Sequence, residues 1–349
     1  MTNRRSNSIF VFLILLAVAA LAVGLYGGAV AIPLGDIARI LWQTVRELSS
    51  ESLGLVPEGI ARSSQHKIII DLRLPRVILA GLTGAALAAS GATYQGLFQN
   101  PMADPYIIGV SSGAAVGAAV VMVFGSQWNL GGNLVPLAAF CGATMTVMMV
   151  YLIARTNGRA PVATLLLVGV AVSAALAGVV ALLIFISGRE MRAVVYWTMG
   201  GLDGASWSQI RNILPFFVIG MIPLLVYAKQ LNAMLFGDET ASYLGVDVAK
   251  LRLRSLLSAS MLAAAAVSVA GTIGFVGLIV PHIVRLLVGP DHRILVPASA
   301  LAGIPFLIAA DLVARTVVSP AEMPVGIITA MLGGPFFLYL LRRERTVRP

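Results

Sequence analysis

This chain has few charged residues: Asp, Glu, Lys and Arg together make up only 11% of its 349 residues. In soluble globular domains about a quarter of the residues are charged, so that class of protein is excluded. Hydrophobic residues make up 58% of the chain, and the mean hydropathy is +0.92. The composition predicts an all-α, polytopic membrane protein.

Cysteine, lysine and histidine are also scarce. The single cysteine, Cys141, excludes intrachain disulfides and CxxC sites, and we expect it to serve in packing. None of the lysines lies in a GxxxxGK[ST] motif, so the chain does not hydrolyse ATP by that route. The three histidines form no HExxH motif or equivalent cluster, which argues against a metal site within the chain. We therefore predict no catalytic residues, no metal and no enzyme activity.

Ten apolar runs follow one another along the chain. Most are near the 17 to 25 residues that a helix needs to cross a bilayer, and three of them, beginning at Ile213, Leu256 and Ile273, are short. We predict about ten transmembrane helices in one domain, residues 1–349. The runs are Ile9–Ala31, Val77–Leu97, Ile107–Phe124, Leu134–Ala154, Val162–Ile186, Ile213–Tyr227, Leu256–Ala270, Ile273–Val288, Ile294–Leu312 and Val325–Leu341.

The charges in the connecting segments predict an orientation. If ten helices begin inside, 14 of the 24 basic residues and 6 of the 15 acidic residues lie inside, which gives +8 there and +1 outside. Basic loops are retained in the cytoplasm, so both termini are predicted to be cytoplasmic. The net charge of +9 is then a topology signal, and we predict no nucleic-acid partner. The first run is too long for a signal-peptide core and is kept as a span.

The segment 73–117 has the most distinctive pattern. Its glycines lie four residues apart, a spacing that lets helix backbones approach closely. Between its two apolar runs are residues that favour a structural turn, because their side chains cap local backbone groups or stop helices. The glycines are Gly109, Gly113 and Gly117, and the turn residues are Asn100, Pro101, Asp104 and Pro105.

Several blocks of sequence resemble the FecCD-type permease family of ABC importers for iron-siderophore, haem and vitamin B12. They occur in the family's order and cover the chain from about Arg73 to its C-terminus. The blocks are RLPR at 73–76, SGATYQGLFQNPMADPYIIGVSSGA at 90–114, YWTMGGLDGASW at 196–207, GDETASYLGV at 237–246, GTIGFVGLIVPHIVR at 271–285 and PVGIITAMLGGPFFLYLLRR at 324–343.

The resemblance implies a type II ABC importer permease fold in the cytoplasmic membrane. It also implies pairing with a second permease copy or a close paralogue around a central pathway. Two cytoplasmic ATPase subunits, which bind ATP and Mg, and an extracytoplasmic substrate-binding protein would complete the importer. The chain itself would hold no cofactor.

A polar stretch at about 229–254 interrupts the apolar pattern and predicts short amphipathic helices that end at a glycine. By resemblance this stretch is the segment that couples the permease to its ATPase; without the resemblance it reads as a solvated loop. The coupling residues are Gly237, Asp238, Glu239, Ala241, Leu244 and Gly245.

The resemblance assigns Arg73, Arg76 and Arg315 to docking acidic residues of the binding protein, and an arginine fork suits carboxylates. The alternative is snorkelling of arginines at the ends of spans. By the same resemblance, Val162 and Ala163 occupy the cytoplasmic gate, where familiar relatives have small hydroxyl residues. A hydrophobic constriction can still seal by dewetting, and the alternative is an ordinary span start.

Two basic residues after the fifth run, Arg189 and Arg192, could face an anionic substrate in the pathway or be solvated loop charges. An iron complex, either siderophore or haem, is the preferred substrate, and vitamin B12 is the alternative. The alternatives to an importer are two other classes of function. A stand-alone carrier or channel would need midplane charge or a polar filter, and a membrane enzyme would need clustered reactive groups; the sequence has neither.

Overall fold

The computed structural model describes residues 3–28, 30, 32–51, 63–125, 134–156 and 160–347, without the side chains of residues 3–6, 48–51, 341 and 343–347. Arg159 and Arg348, which contribute to the charge asymmetry, lie outside the described residues, as does Ala31 at the end of the first run. The described helices are α1 Asn3–Tyr26, α2 Leu34–Glu51, α3 Ser64–Lys67, α4 Leu74–Leu97, α5 Val110–Phe124, α6 Leu134–Ala154, α7 Val162–Ile186, α8 Met191–Met199, α9 Trp207–Met234, α10 Asp238–Tyr243, α11 Val248–Ala270, α12 Val276–Val288, α13 His292–Thr316 and α14 Val325–Val347.

The prediction of ten apolar helices is confirmed in the part of the chain that the structure describes. Seven segments are long and apolar enough to cross a membrane, and three shorter apolar helices, Val110–Phe124, Val276–Val288 and Val325–Leu340, bring the number to ten. Two runs that look short in the sequence belong to longer helices, α9 with 28 residues and α11 with 23. Their terminal turns are polar, so the apolar run alone underestimates the length of the helix. The third, α12, is short, with 13 residues.

Helix α4 lies at the centre of the bundle. It continues α3 through a π-helical turn, Ile68–Arg73, and 89% of the most apolar stretch of residues 64–97 is buried. The wider turn precedes Pro75, whose ring would otherwise disturb the hydrogen bonds of a regular helix. α4 packs against α13, α11, α12 and α9, while α1, α7 and α9 lie at the periphery.

Backbone contacts explain the glycine content of the core. A Cβ atom on Gly91 would lie 1.8 Å from the Gly277 carbonyl oxygen, and one on Gly84 would lie 2.1 Å from that of Gly303. The predicted close approach in the 109–117 segment is also confirmed, since a Cβ on Gly117 would lie 2.1 Å from the Ala138 oxygen. Helix α4 therefore touches α12 and α13, and α5 touches α6, at distances that only glycine permits.

The connections form two groups, one at each end of the bundle. One end, here called the α10 end, holds α10, the loops 98–109 and 289–291, and Ala160; hydrogen bonds join Gln99 to Met234 and Asn232 to Asp291 there. The other, here called the α2 end, holds α2, α8 and the loop 317–324. Cys141 was expected to pack inside, but its side chain is exposed on α6.

Candidate functional site

The predicted coupling segment forms a compact projection at the α10 end. Helix α10 begins at Asp238, after Gly237 with φ +98°. It ends in a Schellman motif, in which Gly245 with φ +82° donates to the Ser242 oxygen and Val246 donates to the Ala241 oxygen. The expected short helix that ends at a glycine is therefore confirmed.

The surface of this projection combines acidic and apolar groups. Glu239 is exposed, and three large apolar side chains are also exposed: Phe236 by 76%, Tyr243 by 90% and Leu244 by 67%. A loop that only joined two helices would have little reason to expose this much apolar surface. Ala241 is fully buried beneath it, which fixes α10 to the bundle.

A cavity of about 380 Å³ lies between α10 and the start of α11. Asp247 caps α11 by accepting a hydrogen bond from the Lys250 backbone N–H, and this bond holds the pKa of Asp247 below its usual value. The cavity is lined by Tyr151, Ala160, Asp238, Glu239, Ser242, Val246, Asp247, Val248, Ala249 and Arg252.

Arg252 is the buried basic residue of this cavity. Its Nη2 donates to both carboxylate oxygens of Asp238, at 2.9 and 2.7 Å, and its Nη1 lies 3.5 Å from the Ala160 carbonyl oxygen. The sequence identifies Arg252 only as one of the 14 basic residues predicted to lie inside. Its position at the fifth residue of α11, facing Asp238, depends on tertiary packing that no local pattern encodes.

The predicted gate residues lie at the start of α7. Val162 is the first residue of the helix and is half-buried, whereas Ala163 is exposed; Gly158, in the same predicted turn, lies outside the described residues. Only 11% of the most apolar stretch of α7 is buried, and Leu167 and Val170 are exposed by 72% and 59%. A helix this open in the single chain has surface available to both lipid and a second subunit.

At the α2 end, Arg73 is buried and its guanidinium group contacts the end of α1. It donates to the carbonyl oxygens of Leu25 at 2.9 Å, of Tyr26 at 3.2 Å, and of Val30. These contacts satisfy carbonyl groups that a helix C-terminus leaves without intrahelical partners. In this conformation Arg73 is 6% exposed.

Arg76 and Arg315 belong to an ion-pair cluster around Asp311, which is 1% exposed. Arg76 donates to Asp311 through Nε and Nη2, at 3.0 and 2.9 Å, and its Nη1 lies 2.7 Å from the more exposed Glu322. Arg315 Nε lies 3.4 Å from Asp311 Oδ2, and Arg315 Nη2 donates to the Gly24 carbonyl oxygen at 2.6 Å. Docking by the three arginines stays a prediction, and Arg76 has an acidic partner, Glu322, whose side chain is 45% exposed.

The charge distribution counts Asp311 among the nine acidic residues predicted outside, at the end of a span, and does not predict its place in this cluster. The available signal was an acidic residue within the otherwise apolar run Ile294–Leu312. Such a residue in a span normally has a partner, because an unpaired charge is costly there.

A second cavity, of about 640 Å³, opens near this cluster at the α2 end. Arg76 and Glu322 form part of its wall, together with Tyr196, Trp197 and Asp203. Arg189, just before α8, and Arg192, in the first turn of α8, are exposed and lie outside the lining of this cavity. Their predicted contact with the pathway therefore stays a prediction.

The loop 98–109 has the predicted turn structure. Asp104 accepts a hydrogen bond from the Tyr106 N–H at 2.8 Å, and Asn100 accepts one from Met102 at 2.9 Å. Asp104 keeps some solvent contact but is densely surrounded by protein, and burial raises its pKa to about 6. Among the described residues, no group of three His, Cys, Asp or Glu side chains could hold a metal ion.

Comparison with known proteins adds an independent finding. The FecCD transport family matches residues 12–343. The chain is 53% identical over 290 residues to the cobalamin import system permease protein BtuC of Halobacterium salinarum, covering 83% of this chain and 77% of that protein. It is 45% identical over 288 residues to the hemin transport system permease protein HmuU of Yersinia pestis, covering 80% and 85%.

A solved structure has the same fold. It is described as an inward-facing conformation of a metal-chelate type ABC transporter, and the TM-score is 0.81 at 31% sequence identity. The match covers 97% of this chain and 99% of that one. The similarity therefore extends over the whole helical bundle, including both ends described above.

Proposed function

The chain belongs to the FecCD transport family, and we propose that it is the permease subunit of an ATP-binding cassette importer that carries a metal chelate across the cytoplasmic membrane. The observation that carries this proposal is the family match over 12–343 in a ten-helix bundle with an exposed acidic and apolar projection at one end. The alternatives, a stand-alone carrier or channel and a membrane enzyme, offer no reason for such a projection.

The α10 end is proposed to be cytoplasmic, with both termini on the same side. The excess of basic residues in the segments at this end supports that orientation. The coupling segment, with Glu239 and Leu244 at its surface, would then meet a cytoplasmic ATPase. Movement driven by ATP binding and hydrolysis would reach the helices through this contact.

The complete importer is proposed to contain two permease subunits, two ATPases and a binding protein on the outer side. The open surface of α7 supports pairing with a second copy or a close paralogue, because the gate residues Val162 and Ala163 would then meet their counterparts across a central pathway. At the α2 end, Arg76 would contribute to docking of the binding protein, and Arg189 and Arg192 would border the entrance.

The substrate is proposed to be a metal tetrapyrrole, either haem or cobalamin. Two relatives reported above are named for hemin and for cobalamin, and the identity to the cobalamin protein, 53%, exceeds the 45% to the hemin protein. A ferric siderophore is the further candidate from the sequence. The choice among them rests with the binding protein, which presents the substrate.

Uptake into proteoliposomes tests the proposal. The chain is reconstituted with its ATPase and binding protein, and labelled haem, cobalamin and ferric siderophore are supplied separately, with and without ATP. Accumulation of one chelate that requires both ATP and the binding protein is expected. Uptake that continues without ATP would contradict the proposal and favour a carrier or channel.

A further inference from the structure

We propose that Arg252 transmits movement of the coupling segment to the cytoplasmic gate, as a positioning residue that links α10, α11 and the start of α7. The inference rests on the proposed function, since it assigns a role within ATP-driven transport. It begins from a simple observation: one buried guanidinium group contacts both the helix that would meet the ATPase and the backbone that leads into the gate.

The contact with α10 is strong and directional. Asp238 is the first residue of α10, and both of its carboxylate oxygens accept from Arg252 Nη2, at 2.9 and 2.7 Å. Charge-assisted bonds of this kind are about twice as strong as neutral ones. The Arg252 side chain is only 10% exposed, so water competes little for its donors. When α10 moves, its carboxylate therefore carries the guanidinium with it.

The contact with the gate is weaker. Arg252 Nη1 lies 3.5 Å from the Ala160 carbonyl oxygen, at the upper limit for a hydrogen bond. Ala160 is 5% exposed and lies two residues before Val162, where α7 begins. A small shift of the guanidinium group would shorten or break this contact, and the first turn of α7 would gain or lose an anchor.

A third donor of Arg252 has no partner. Its Nε is buried without a hydrogen bond, although the side chain faces a cavity of about 380 Å³. An unsatisfied buried donor destabilises a structure, so a shift that gives Nε a partner would not be opposed by the loss of an existing bond at this atom. The free volume and the unused donor give the guanidinium group a second position to occupy. Two alternative arrangements of one buried group are what energetic coupling between two sites requires.

The test uses the assembled importer with its ATPase and binding protein. Arg252→Gln and Asp238→Asn each remove the ion pair, and Arg252→Lys keeps the charge. Arg39→Gln is the matched control, because it removes an arginine of an exposed ion pair with Asp36 on α2, 3.5 Å apart. We expect chelate imported per ATP hydrolysed to fall about fivefold or more for the first two variants, to recover in part for Arg252→Lys, and not to change for the control.

A second measurement separates transmission from a purely structural role. In a Cys141→Ala background, Ala163→Cys reports on the gate through its rate of modification by a water-soluble maleimide, with and without a trapped ATP state. This rate is expected to respond to nucleotide in the parent and not after Arg252→Gln or Asp238→Asn, while the ATPase still co-purifies and hydrolyses ATP.

A gate cysteine that still responds to nucleotide in both variants, or an unchanged ratio of transport to ATP, would overturn the role of Arg252. If Arg252→Gln does not assemble, Asp238→Asn decides the question, since its side chain is 48% exposed and its loss disturbs the core less. Failure of the unaltered complex to transport with ATP would instead contradict the proposed function.

Discussion

At the scale of single residues, Asp104 gives stability a pH dependence of unusual sign. Its pKa is raised from 3.8 to about 6 by burial, although the bond from Tyr106 N–H opposes the shift. The folded chain therefore binds this proton more tightly than the unfolded chain, and stability falls as the pH rises from about 3.8 to about 6.

Asp104→Asn is expected to raise the unfolding temperature at pH 8 and to have little effect at pH 4, because asparagine also caps the turn but carries no charge. Thermal unfolding of the detergent-solubilised protein at both pH values measures this. Equal destabilisation at pH 4 and pH 8 would show that the carboxylate is needed for another reason.

The arginines illustrate how far sequence reasoning reaches at this scale. The resemblance selects Arg73, Arg76 and Arg315, and the structure does bring Arg76 and Arg315 together around Asp311. The sequence could not indicate that Arg73 and Arg315 are mostly used within the chain, because their partners are backbone oxygens of α1, 48 residues before Arg73 and 291 before Arg315. A pattern of side chains does not indicate which backbone carbonyl groups an arginine will contact.

At the scale of helices, close contact between α4 and α12 can be tested by a single methyl group. Gly91→Ala would place a Cβ 1.8 Å from the Gly277 oxygen, so the helices must separate, and overpacking of this kind costs about 1–3 kcal/mol. Gly178→Ala on α7 is the control, because no atom lies within 4 Å of its Cβ position. A lower unfolding temperature is expected only for Gly91→Ala. The same loss in both variants would contradict a role for the α4–α12 contact, since the change from glycine to alanine by itself favours a helix.

The coupling segment provides a prediction about function. Replacing Glu239 by Gln and Leu244 by Ser should uncouple ATP hydrolysis from uptake, because both side chains lie on the exposed surface of the α10 projection. Membrane insertion should not change, since neither residue is buried. Uptake, ATP hydrolysis and the amount of protein in the membrane are measured together, with Asp36→Asn on α2 as the control. Normal uptake by the double variant would remove the coupling assignment.

Periodicity and hydropathy predicted that the helices exist, but not the full length of each one. The ten apolar helices and the α10 turn at Gly245 follow from local signals: long apolar runs and a glycine after a short polar helix. The length of α9 and α11 does not follow, because their terminal turns are polar and leave the apolar run, as Lys250 and Arg252 do in α11. The π-helical turn Ile68–Arg73 accommodates the Pro75 ring, but hydropathy carries no signal that distinguishes a wider turn from a regular one.

At the scale of the whole molecule, the α2 end, which is proposed to face outward, has an ion pair that would compete with docking. Arg76 Nη1 is bound to Glu322 at 2.7 Å, whereas its other donors are held by buried Asp311. If an acidic residue of the binding protein docks at Arg76, Glu322→Gln should strengthen docking by up to about fivefold, since an exposed ion pair contributes about 0–1 kcal/mol.

The effect should be largest at low salt, where screening is weakest. Binding of the binding protein to the permease in lipid nanodiscs, at low and at moderate ionic strength, measures it, with Asp36→Asn as the control for loss of a partly exposed acid at the same end of the bundle. Unchanged or weaker docking of the Glu322 variant at low salt would rule out Arg76 as a hydrogen-bond donor to an acidic residue of the binding protein.

Contacts between Arg73 and the end of α1 set an order of assembly during biosynthesis. Leu25 precedes Arg73 by 48 residues, so α1 emerges from the ribosome and meets the membrane before its capping guanidinium group exists. Only 22% of the most apolar stretch of α1 is buried in the finished bundle, where α1 also packs against α13 and its Gly24 oxygen accepts a hydrogen bond from Arg315. Helix α1 therefore cannot reach its final position until the segments that carry Arg73 and Arg315 have been made.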